Sequence, residues 1–453
     1  MLSRRKQISD KILKTKTKTK TKTKTKTKTK TKTKTKTKTK TKTKNKTKKK
    51  QYILDGGKYI DKGGFGCVVK PAIPCKILKT KTFNYNNYVS KIINNPDISD
   101  INEEIRISHI LSQIDPPNNY FITINDYCYI SDPELLKKRT DIIAVKYLDK
   151  KKTKYNITSK PNLDKKHCTI DINEKPINLI FEYGGISLSK IMKINRKDTN
   201  NIKSKIHQLF ITNIKIYFKH LLVGLEKMHR NKIVNRDIKQ KNIMLYIDQD
   251  KIQNPNYIDL KKQDSNVLDI MKLRYIDFGL ATHITTTVSR DIKNIFLCGT
   301  YRYVSPEIFI SYVLVQYKHK SVQYKNKKIN EKLKNIKEAL DRIEEKHMIQ
   351  KLKENINALC LKIQYLIDNN KILDKYFGSN TNSNYNGYLQ KADVYALGIT
   401  IFDTLHVKKY SNVNVRKNKK LYDLLLNMIK IDPDERFNVI QCIHHPYFTE
   451  SST

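Results

Sequence analysis

Two short runs near the middle of the chain place polar side chains between apolar flanks. The first is KIVNRDIKQKNIML, residues 232–245, and the second is YIDFGLAT, residues 275–282. Apolar positions at helical spacing precede the first run and predict a core helix that ends just before it and supports a polar loop. Carboxylate, amide and ammonium groups in such loops hold metal ions and phosphates. The two runs therefore favour a polar site that folding assembles from two loops.

Further motifs follow these runs in a fixed order. They are Gly299 with Thr300, the SPE run at 305–307, Asp393 in KADVYALG and Arg436 in DPDERF. The series resembles the eukaryotic-type protein kinase family and, within it, the serine/threonine branch. The resemblance covers roughly residues 52–448. It implies an α+β fold with two lobes, a small antiparallel β-sheet lobe with one main helix and a larger, mostly α-helical lobe.

A narrower resemblance concerns the source of the chain. Its richness in Asn, Ile, Lys and Tyr, and the run GGFGCVVKPAIPC, look like the protein kinases that amoeba-infecting giant DNA viruses encode. Cellular kinases from AT-rich genomes share this bias, so both origins stay open.

The kinase resemblance implies a role for each polar residue of the two runs. Asp237 would accept or orient the proton of the acceptor hydroxyl, and Lys239 would stabilise the transferring phosphoryl group of ATP. Asn242 and Asp277 would hold Mg²⁺. Arg236 would grip a phosphate on the activation segment.

The acceptor class and the level of activity also follow from the resemblance. Lys239 together with Thr300 is typical of the serine/threonine branch, so protein Ser and Thr hydroxyls are the expected acceptors. The family's histidine before Arg236 is Asn235 here, which favours reduced or differently regulated activity. A pseudokinase or scaffold is the alternative hypothesis, and the intact Asp237, Asn242 and Asp277 argue against it.

The run DKGGFGCVVKP resembles the glycine-rich loop that covers the phosphates of ATP. Its expected nucleotide contacts are Gly63, Gly64, Phe65, Gly66 and Val68. Glycine lets backbone amides approach phosphate oxygens without an intervening Cβ. Asp61 replaces the family's first glycine, and its carboxylate would either repel the nucleotide or point outward. A glycine turn between two strands is the structural alternative for the whole run.

A lysine must neutralise the phosphates and must itself be held by a helix carboxylate. Lys91, in NYVSKII, is the preferred candidate, and Lys76 is the rival. Glu104 is the expected partner because it precedes an apolar helical face, with Glu103 as the second choice. The run PINLIFEYGGISL resembles the family's segment that joins the two lobes. In it, the backbone of Glu182 and Tyr183 would contact the adenine.

The activation segment contains four hydroxyl side chains that could carry a regulatory phosphate. They are Thr285, Thr286, Thr287 and Ser289. Phosphorylation would order the segment through Arg236. Constitutive order of the segment is the equal alternative.

Buried supports are expected away from the reacting groups. Glu307 should pair with Arg436, and Asp393 should accept hydrogen bonds from the catalytic-loop backbone. The closing HHPYF run matches a family signature, so His445 and Phe448 are interpreted as structural residues and not as metal ligands.

The expected domain boundaries follow changes in amino-acid composition and in the pattern of apolar residues. Residues 1–50 form a polybasic Lys-Thr tail, 51–182 the small lobe, 183–448 the large lobe, and 449–453 a short tail. A helical insertion at about 310–388 interrupts the large lobe, with a break near His347. The amphipathic pattern fits a partner-binding arm or a helix pair folded back on the large lobe, and the second is preferred.

Charge is concentrated at the start of the chain. Residues 1–50 contribute +23 of the net +47, and Lys and Thr alternate strictly from Lys14 to Lys44. Like charges at every second position predict disorder. The tail is either a solvated repeat or an arm for nucleic acid or an anionic surface.

The seven cysteines are far apart and contain no CxxC pair. This spacing predicts neither a zinc site nor disulfides, and it favours a reducing, intracellular compartment, which would be host cytoplasm or nucleus for a viral protein. About eighteen consecutive apolar residues occur nowhere, so neither secretion nor a transmembrane segment is expected.

Overall fold

A computed structural model describes most of the chain after residue 56. The described residues are 57–63, 66–75, 84–131, 136, 141–148, 153–156, 167–193, 202–248, 251, 266–284, 299–341, 346–369, 371–377, 386–405 and 418–450. The predictions for residues 1–50, Gly64, Phe65, Lys76 and the hydroxyl residues 285–289 lie outside these ranges.

The small lobe is built on a five-stranded antiparallel sheet in the order β1-β2-β3-β8-β4. Its strands are β1 Lys58–Gly63, β2 Gly66–Lys70, β3 Tyr88–Ile93, β4 Ile124–Tyr129 and β8 Ile177–Glu182. Alternation between inward and outward side chains is clear in β2, where Cys67 and Val69 are buried between half-buried neighbours. β1 is an edge strand of this sheet and pairs with β2, so the two strands on either side of the glycine-rich run lie at this edge.

One long helix, α1 Ile98–Ile114, belongs to this lobe. Asp97 caps it, since its Oδ1 accepts a hydrogen bond from the Ser99 amide (2.8 Å). The buried face contains Ile107, Leu111 and the carboxylate of Glu104. Burial of a carboxylate on this face requires a cation opposite it.

A second small sheet, which the sequence did not predict, lies between β4 and β8 in the chain. It consists of β5 Ile142–Leu148, β6 Thr153–Asn156 and β7 Cys168–Asp171. β5 pairs antiparallel with β6 and parallel with β7. The small lobe therefore has more β-structure than the kinase resemblance implied.

The prediction of unpaired cysteines was wrong. The structure joins Cys67 to Cys168 and Cys75 to Cys128 by disulfide bonds. Tertiary packing brings together cysteines that are separated by 101 and by 53 positions in the chain. Cysteine spacing alone cannot reveal such pairs. The argument for a reducing compartment thereby loses its basis.

The large lobe is mainly helical and contains the main apolar core. Its helices are α2 Leu188–Ile191, α3 Ile202–Thr212, α4 Ile214–Arg230, α5 Val267–Ile270, α6 Pro306–Gln316, α7 Val322–Asp341, α8 Lys346–Asp368, α9 Ile372–Phe377, α10 Tyr388–Leu405, α11 Lys419–Met428, α12 Val439–Ile443 and α13 Pro446–Thr449. The predicted core helix is α4, in which the apolar positions that predicted it are all buried: Ile214, Phe218, Leu221, Leu222, Leu225 and Met228. The expected α+β fold with two lobes is confirmed.

Short strands frame the two polar loops. β11 Ile243–Ile247 pairs antiparallel with both β9 Ile186–Ser187 and β12 Met271–Tyr275. β10 Ile233–Val234 pairs with β13 Thr282–His283. The first polar loop therefore lies between β10 and β11, and the second lies between β12 and β13.

The segment between Glu307 and Asp393 folds as helices against the large lobe. On α8, Ile356, Leu359 and Ile363 are buried in the main core. This burial supports the folded-back helix pair over a projecting arm. The break was expected near His347, and α7 ends at Asp341 while α8 begins at Lys346.

Within the described ranges, no helix is long and apolar enough to cross a membrane.

Candidate active site

Asp237 lies at the centre of a hydrogen-bonded loop after β10. Its Oδ2 accepts from Lys239 Nζ (2.6 Å) and from Asn242 Nδ2 (2.9 Å). Its Oδ1 accepts from the Thr300 amide (3.1 Å) and from Thr300 Oγ1 (2.9 Å). The side chain of Asp237 is only 5% exposed, so these donors replace water around the carboxylate. They fix the orientation of the carboxylate.

Lys239 and Thr300 are also joined directly. Lys239 Nζ donates to Thr300 Oγ1 (2.8 Å), which places both next to Asp237. The two residues that the sequence singled out for acceptor class therefore meet at one point.

Backbone pairing brings the second polar loop to the first. The Ile276 amide donates to the Asn242 carbonyl oxygen (3.0 Å), at the junction where β11 begins and β12 ends. Asp277 follows directly. Its φ is +63°, a left-handed conformation that is uncommon for aspartate and turns the chain sharply. Asn242 and Asp277 therefore lie at the adjoining ends of neighbouring strands.

Lys91 connects the small lobe to Asp277. Its Nζ lies 2.9 Å from Glu104 Oε1 and 2.8 Å from Asp277 Oδ1. Glu103, the second candidate partner, instead forms an ion pair with Arg106 (2.6 Å). The structure thus places Lys91 and Glu104 together, as the helical pattern predicted.

The protonation of this triad follows from its mutual charges. Burial alone would lower the pKa of Lys91, but Asp277 and Glu104 together raise it, so the ammonium stays charged. Burial would raise the pKa of Asp277, but Lys91, Lys239 and the Gly279 amide together outweigh burial and the pKa is lowered. For Glu104, burial outweighs Lys91 and the pKa is raised. Lys91 is therefore a permanent cation that keeps Asp277 ionised.

The glycine turn is only partly described. Gly63 pairs with Gly66 across the β1–β2 hairpin, and Val68 lies opposite Lys91 in the sheet register. A Cβ on Gly66 would lie 2.3 Å from the Ile92 carbonyl oxygen, so strand packing by itself requires this glycine. Asp61, the departure from the family pattern, is an exposed residue of β1.

The segment between the lobes is held by side chains as well as by backbone. The carboxylate of Glu182 forms a two-point ion pair with Arg274 of β12, with NH1–Oε2 3.0 Å and NH2–Oε1 3.3 Å. The Tyr183 amide donates to the Asn87 carbonyl oxygen (2.9 Å), and Lys70 Nζ lies 3.6 Å from the Tyr183 ring centroid. Glu182 and Tyr183 are therefore fixed at the junction of the lobes.

Asp393 on α10 holds the backbone of the polar loop between β10 and β11. Its Oδ2 accepts from the Asn235 amide (2.7 Å) and its Oδ1 from the Arg236 amide (2.8 Å). His229 Nε2 lies 3.2 Å from Asp393 Oδ2. The Asn235 side chain takes part too, since its Oδ1 accepts from the Asp237 amide (3.1 Å). The expected backbone bonds to Asp393 are confirmed.

The expected ion pair between Glu307 and Arg436 is present and fully buried. Arg436 NH1 lies 2.7 Å from Glu307 Oε1, and Arg436 NH2 lies 2.8 Å from Glu307 Oε2. Both side chains are 0% exposed. The guanidinium also donates to three backbone carbonyls, those of Lys391, Lys430 and Ile431. This pair ties α6 to the loop after α11.

His445 is engaged as a structural residue. Its Nε2 lies 2.9 Å from Asp423 Oδ2, and its Nδ1 accepts from the Tyr447 amide at the start of α13. No cluster of three His, Cys, Asp or Glu side chains in the described part of the chain could hold a metal ion. A site with Asp277 and Asn242 as its protein ligands would leave the remaining positions to phosphate oxygens and water.

The fold and these contacts define a protein kinase. A family model described as the protein kinase domain matches residues 134–448, which is more than half of the chain. The chain therefore belongs to this family. The match begins after β4, so most of the five-stranded sheet precedes it.

Several curated relatives of this chain are protein kinases. The chain is 40% identical over 94 residues to the DNA damage response protein kinase DUN1 of Saccharomyces cerevisiae, over 21% of this chain and 17% of that protein. It is 36% identical over 90 residues to the probable serine/threonine-protein kinase 2 of Plasmodium falciparum, over 20% and 13%. The human dual specificity protein kinase CLK4 is 22% identical over 283 residues, over 60% and 50%. The chain thus spans less than two thirds of each of these relatives.

Three contacts at the site were not foreseen from the sequence. All three join residues that are far apart in the chain. His229 contacts Asp393, Arg274 contacts Glu182, and Lys332 of α7 contacts the Tyr301 carbonyl oxygen. His229 lies six residues before Asn235, at the end of the predicted core helix, and this proximity is the one usable signal. Arg274 and Lys332 lie in apolar or amphipathic runs that resemble ordinary structure.

Proposed function

We propose that this chain is an ATP-dependent serine/threonine protein kinase that acts on protein acceptors. The observation that carries the proposal is the convergence of Lys91, Asp277, Asn242, Asp237 and Lys239 at one cleft. Family membership supports protein phosphorylation. The choice of Ser and Thr hydroxyls rests on the contact of Lys239 with Thr300.

Asp237 is the proposed proton acceptor for the substrate hydroxyl. Its carboxylate is fixed by donors from Thr300, Asn242 and Lys239, so it needs little reorganisation when the hydroxyl binds. Lys239 Nζ is placed beside Asp237, where it would neutralise charge that develops on the phosphoryl oxygens. Chemistry therefore depends on positioning and electrostatics.

Asp277 and Asn242 are the proposed ligands for Mg²⁺. The donor set fits this ion, because Asn242 Nδ2 donates to Asp237 and leaves its amide oxygen as a ligand, and the pKa of Asp277 is lowered. When bound, the ion would offset the phosphate charge. Lys91 would contact the same phosphates, with Glu104 holding its side chain in place.

The adenine would lie against Val68 and the backbone of residues 182–184. Val68 is half-buried and lies opposite Lys91 in the register of β2 and β3, so base and phosphates would share one face of the sheet. Gly63, Gly64, Phe65 and Gly66 complete the proposed nucleotide contacts.

The test is transfer of labelled γ-phosphate from ATP to a mixed protein acceptor, followed by phosphoamino-acid analysis. Phosphoserine and phosphothreonine are the expected products of the natural chain. Lys91→Met removes the ammonium while keeping a stem of similar length, and it should abolish most transfer. Lys190→Met, on an exposed residue of α2, is the matched control and should transfer normally. Phosphotyrosine as the main product would contradict the acceptor assignment.

A second function is favoured by one observation, the charge of +23 in residues 1–50. Lysines bind phosphate backbones by releasing counterions, so we propose that this arm binds nucleic acid. Removal of residues 1–50 should weaken DNA binding at low salt and flatten its salt dependence, and phosphoryl transfer should persist. Unchanged DNA affinity after the truncation would contradict DNA binding through residues 1–50.

A further inference from the structure

Helix α7 brings a buried lysine to the loop that follows the catalytic contacts of Thr300. Lys332 is 3% exposed, and its Nζ donates a hydrogen bond to the Tyr301 carbonyl oxygen. The same Nζ lies 4.7 Å from the Tyr301 ring centroid and 5.9 Å from the Phe309 ring centroid. The two rings meet edge to face, with centroids 5.3 Å apart. Lys332 therefore fills a site made of one carbonyl and two aromatic rings.

A lysine at this place is costly unless its ammonium group has a task. Burial disfavours the charge, and in the described part of the chain no carboxylate forms an ion pair with Lys332. Leucine or methionine would fill the same apolar space without that cost. The carbonyl hydrogen bond and the two ring contacts are the interactions that such residues would lose.

The carbonyl that Lys332 holds is next to the reacting groups. Thr300 contacts Asp237 and Lys239 through its side chain, and Tyr301 is the next residue. Tyr301 itself is 43% exposed, so part of its surface faces solvent beside these groups. The following residue, Arg302, is anchored by a two-point ion pair to Asp403 of α10. Lys332 thus holds this loop from α7. The other residues that hold it, Asp237, Lys239 and Asp403, belong to the rest of the large lobe.

We propose that Lys332 of α7 is a positioning residue for acceptor binding: its contacts with the Tyr301 carbonyl oxygen and ring hold residues 299–304 in place beside Asp237 and Lys239. The proposal rests on the proposed kinase function. It gives the long segment between Glu307 and Asp393 a role in acceptor binding. Nucleotide binding is independent of α7, because its groups lie on β3, α1 and the two polar loops.

The experiment compares the natural chain with Lys332→Met and with Lys328→Met as the matched control. Lys328 is one turn earlier on α7 and pairs only at the surface with Glu331 (3.1 Å). Initial rates are measured with a Ser-containing peptide acceptor and with ATP varied separately. For Lys332→Met, loss of the hydrogen bond should raise the KM for the peptide about tenfold, with the KM for ATP and kcat little changed. Lys328→Met should match the natural chain.

A second readout is independent of activity. Amide hydrogen exchange at residues 300–303 should be faster in Lys332→Met than in the natural chain, and unchanged in Lys328→Met. An unchanged peptide KM, or a loss of kcat and stability without a change in KM, would overturn the proposal. A natural chain that transfers no phosphate would instead refute the kinase function, so the two failures are distinguishable.

Discussion

At the scale of single residues, the site depends on conformations and charges that local sequence preferences oppose. Arg236 and Asp277 have φ values of +68° and +63°, a region that non-glycine residues seldom adopt. Such residues persist where the surrounding contacts hold them, as Asp393 holds Arg236 and Lys91 holds Asp277. The strained residues therefore lie where the chain turns its functional groups into the cleft.

Arg436→Ala should destabilise the large lobe strongly. The substitution leaves the buried Glu307 carboxylate without its partner, and breaking such a pair from one side costs roughly 3–5 kcal/mol. The free energy of unfolding in urea measures this change. Lys328→Ala, at a solvent-exposed pair, is the control and should change the free energy of unfolding far less. Equal costs for the two variants would contradict the buried pair.

Lys332 should give the free energy of unfolding a specific pH dependence. Burial lowers its pKa to about 7, with Glu307 opposing and Arg302 reinforcing that shift. In the unfolded chain the pKa is about 10.4. The unfolded chain thus binds more protons between these values, so this lysine adds stability as the pH rises from about 7 toward about 10.

The comparison is with Lys332→Met, which lacks the titrating group. The free energy of unfolding of the natural chain minus that of Lys332→Met should increase between about pH 7 and about pH 9. Other titrating groups cancel in the difference. A difference that is constant with pH would show that the ammonium is not desolvated.

At the scale of elements, helices were predictable and some strands were not. The spacing of apolar residues predicted α4 and the amphipathic α7 and α8, because a helix shows its buried face in local sequence. The sheet of β5 to β7 and both disulfides depend on partners far away in the chain, and local patterns carry no such information. The Lys91–Glu104 pair was predictable because the helical face fixed the position of Glu104, whereas Lys332 looked like one more solvated lysine.

Two neighbouring residues of α8 test whether this helix belongs to the core. Ile363 is 0% exposed and Leu361 is 74% exposed. Ile363→Ala should lower the free energy of unfolding by about 2–5 kcal/mol because it leaves a cavity. Leu361→Ala should change it by less than about 0.5 kcal/mol. Thermal or urea unfolding measures both, and similar small effects would mean that α8 projects from the lobe.

At the scale of the whole molecule, the proposed catalytic groups come from both lobes. Lys91 and Glu104 belong to the small lobe, and Asp277 to the loop after β12. Asp237 is supported by α10 through Asp393. Motif order along the sequence could predict which residues meet, whereas the contacts that hold the lobes in place, such as Arg274 on Glu182, emerge only from the fold. The proposed activity therefore requires the intact two-lobed chain.

The most direct test of this account is the transfer of labelled γ-phosphate by the natural chain, Asp237→Ala and Asp277→Ala, each prepared identically. The natural chain should label a protein acceptor, and loss of the proposed proton acceptor should slow transfer by roughly 10²–10⁴-fold. Asp277→Ala should also lose the stabilisation against heat that ATP with Mg²⁺ gives the natural chain, while Asp237→Ala should keep it. Equal labelling by all three proteins would contradict the assignment of these aspartates and of the activity.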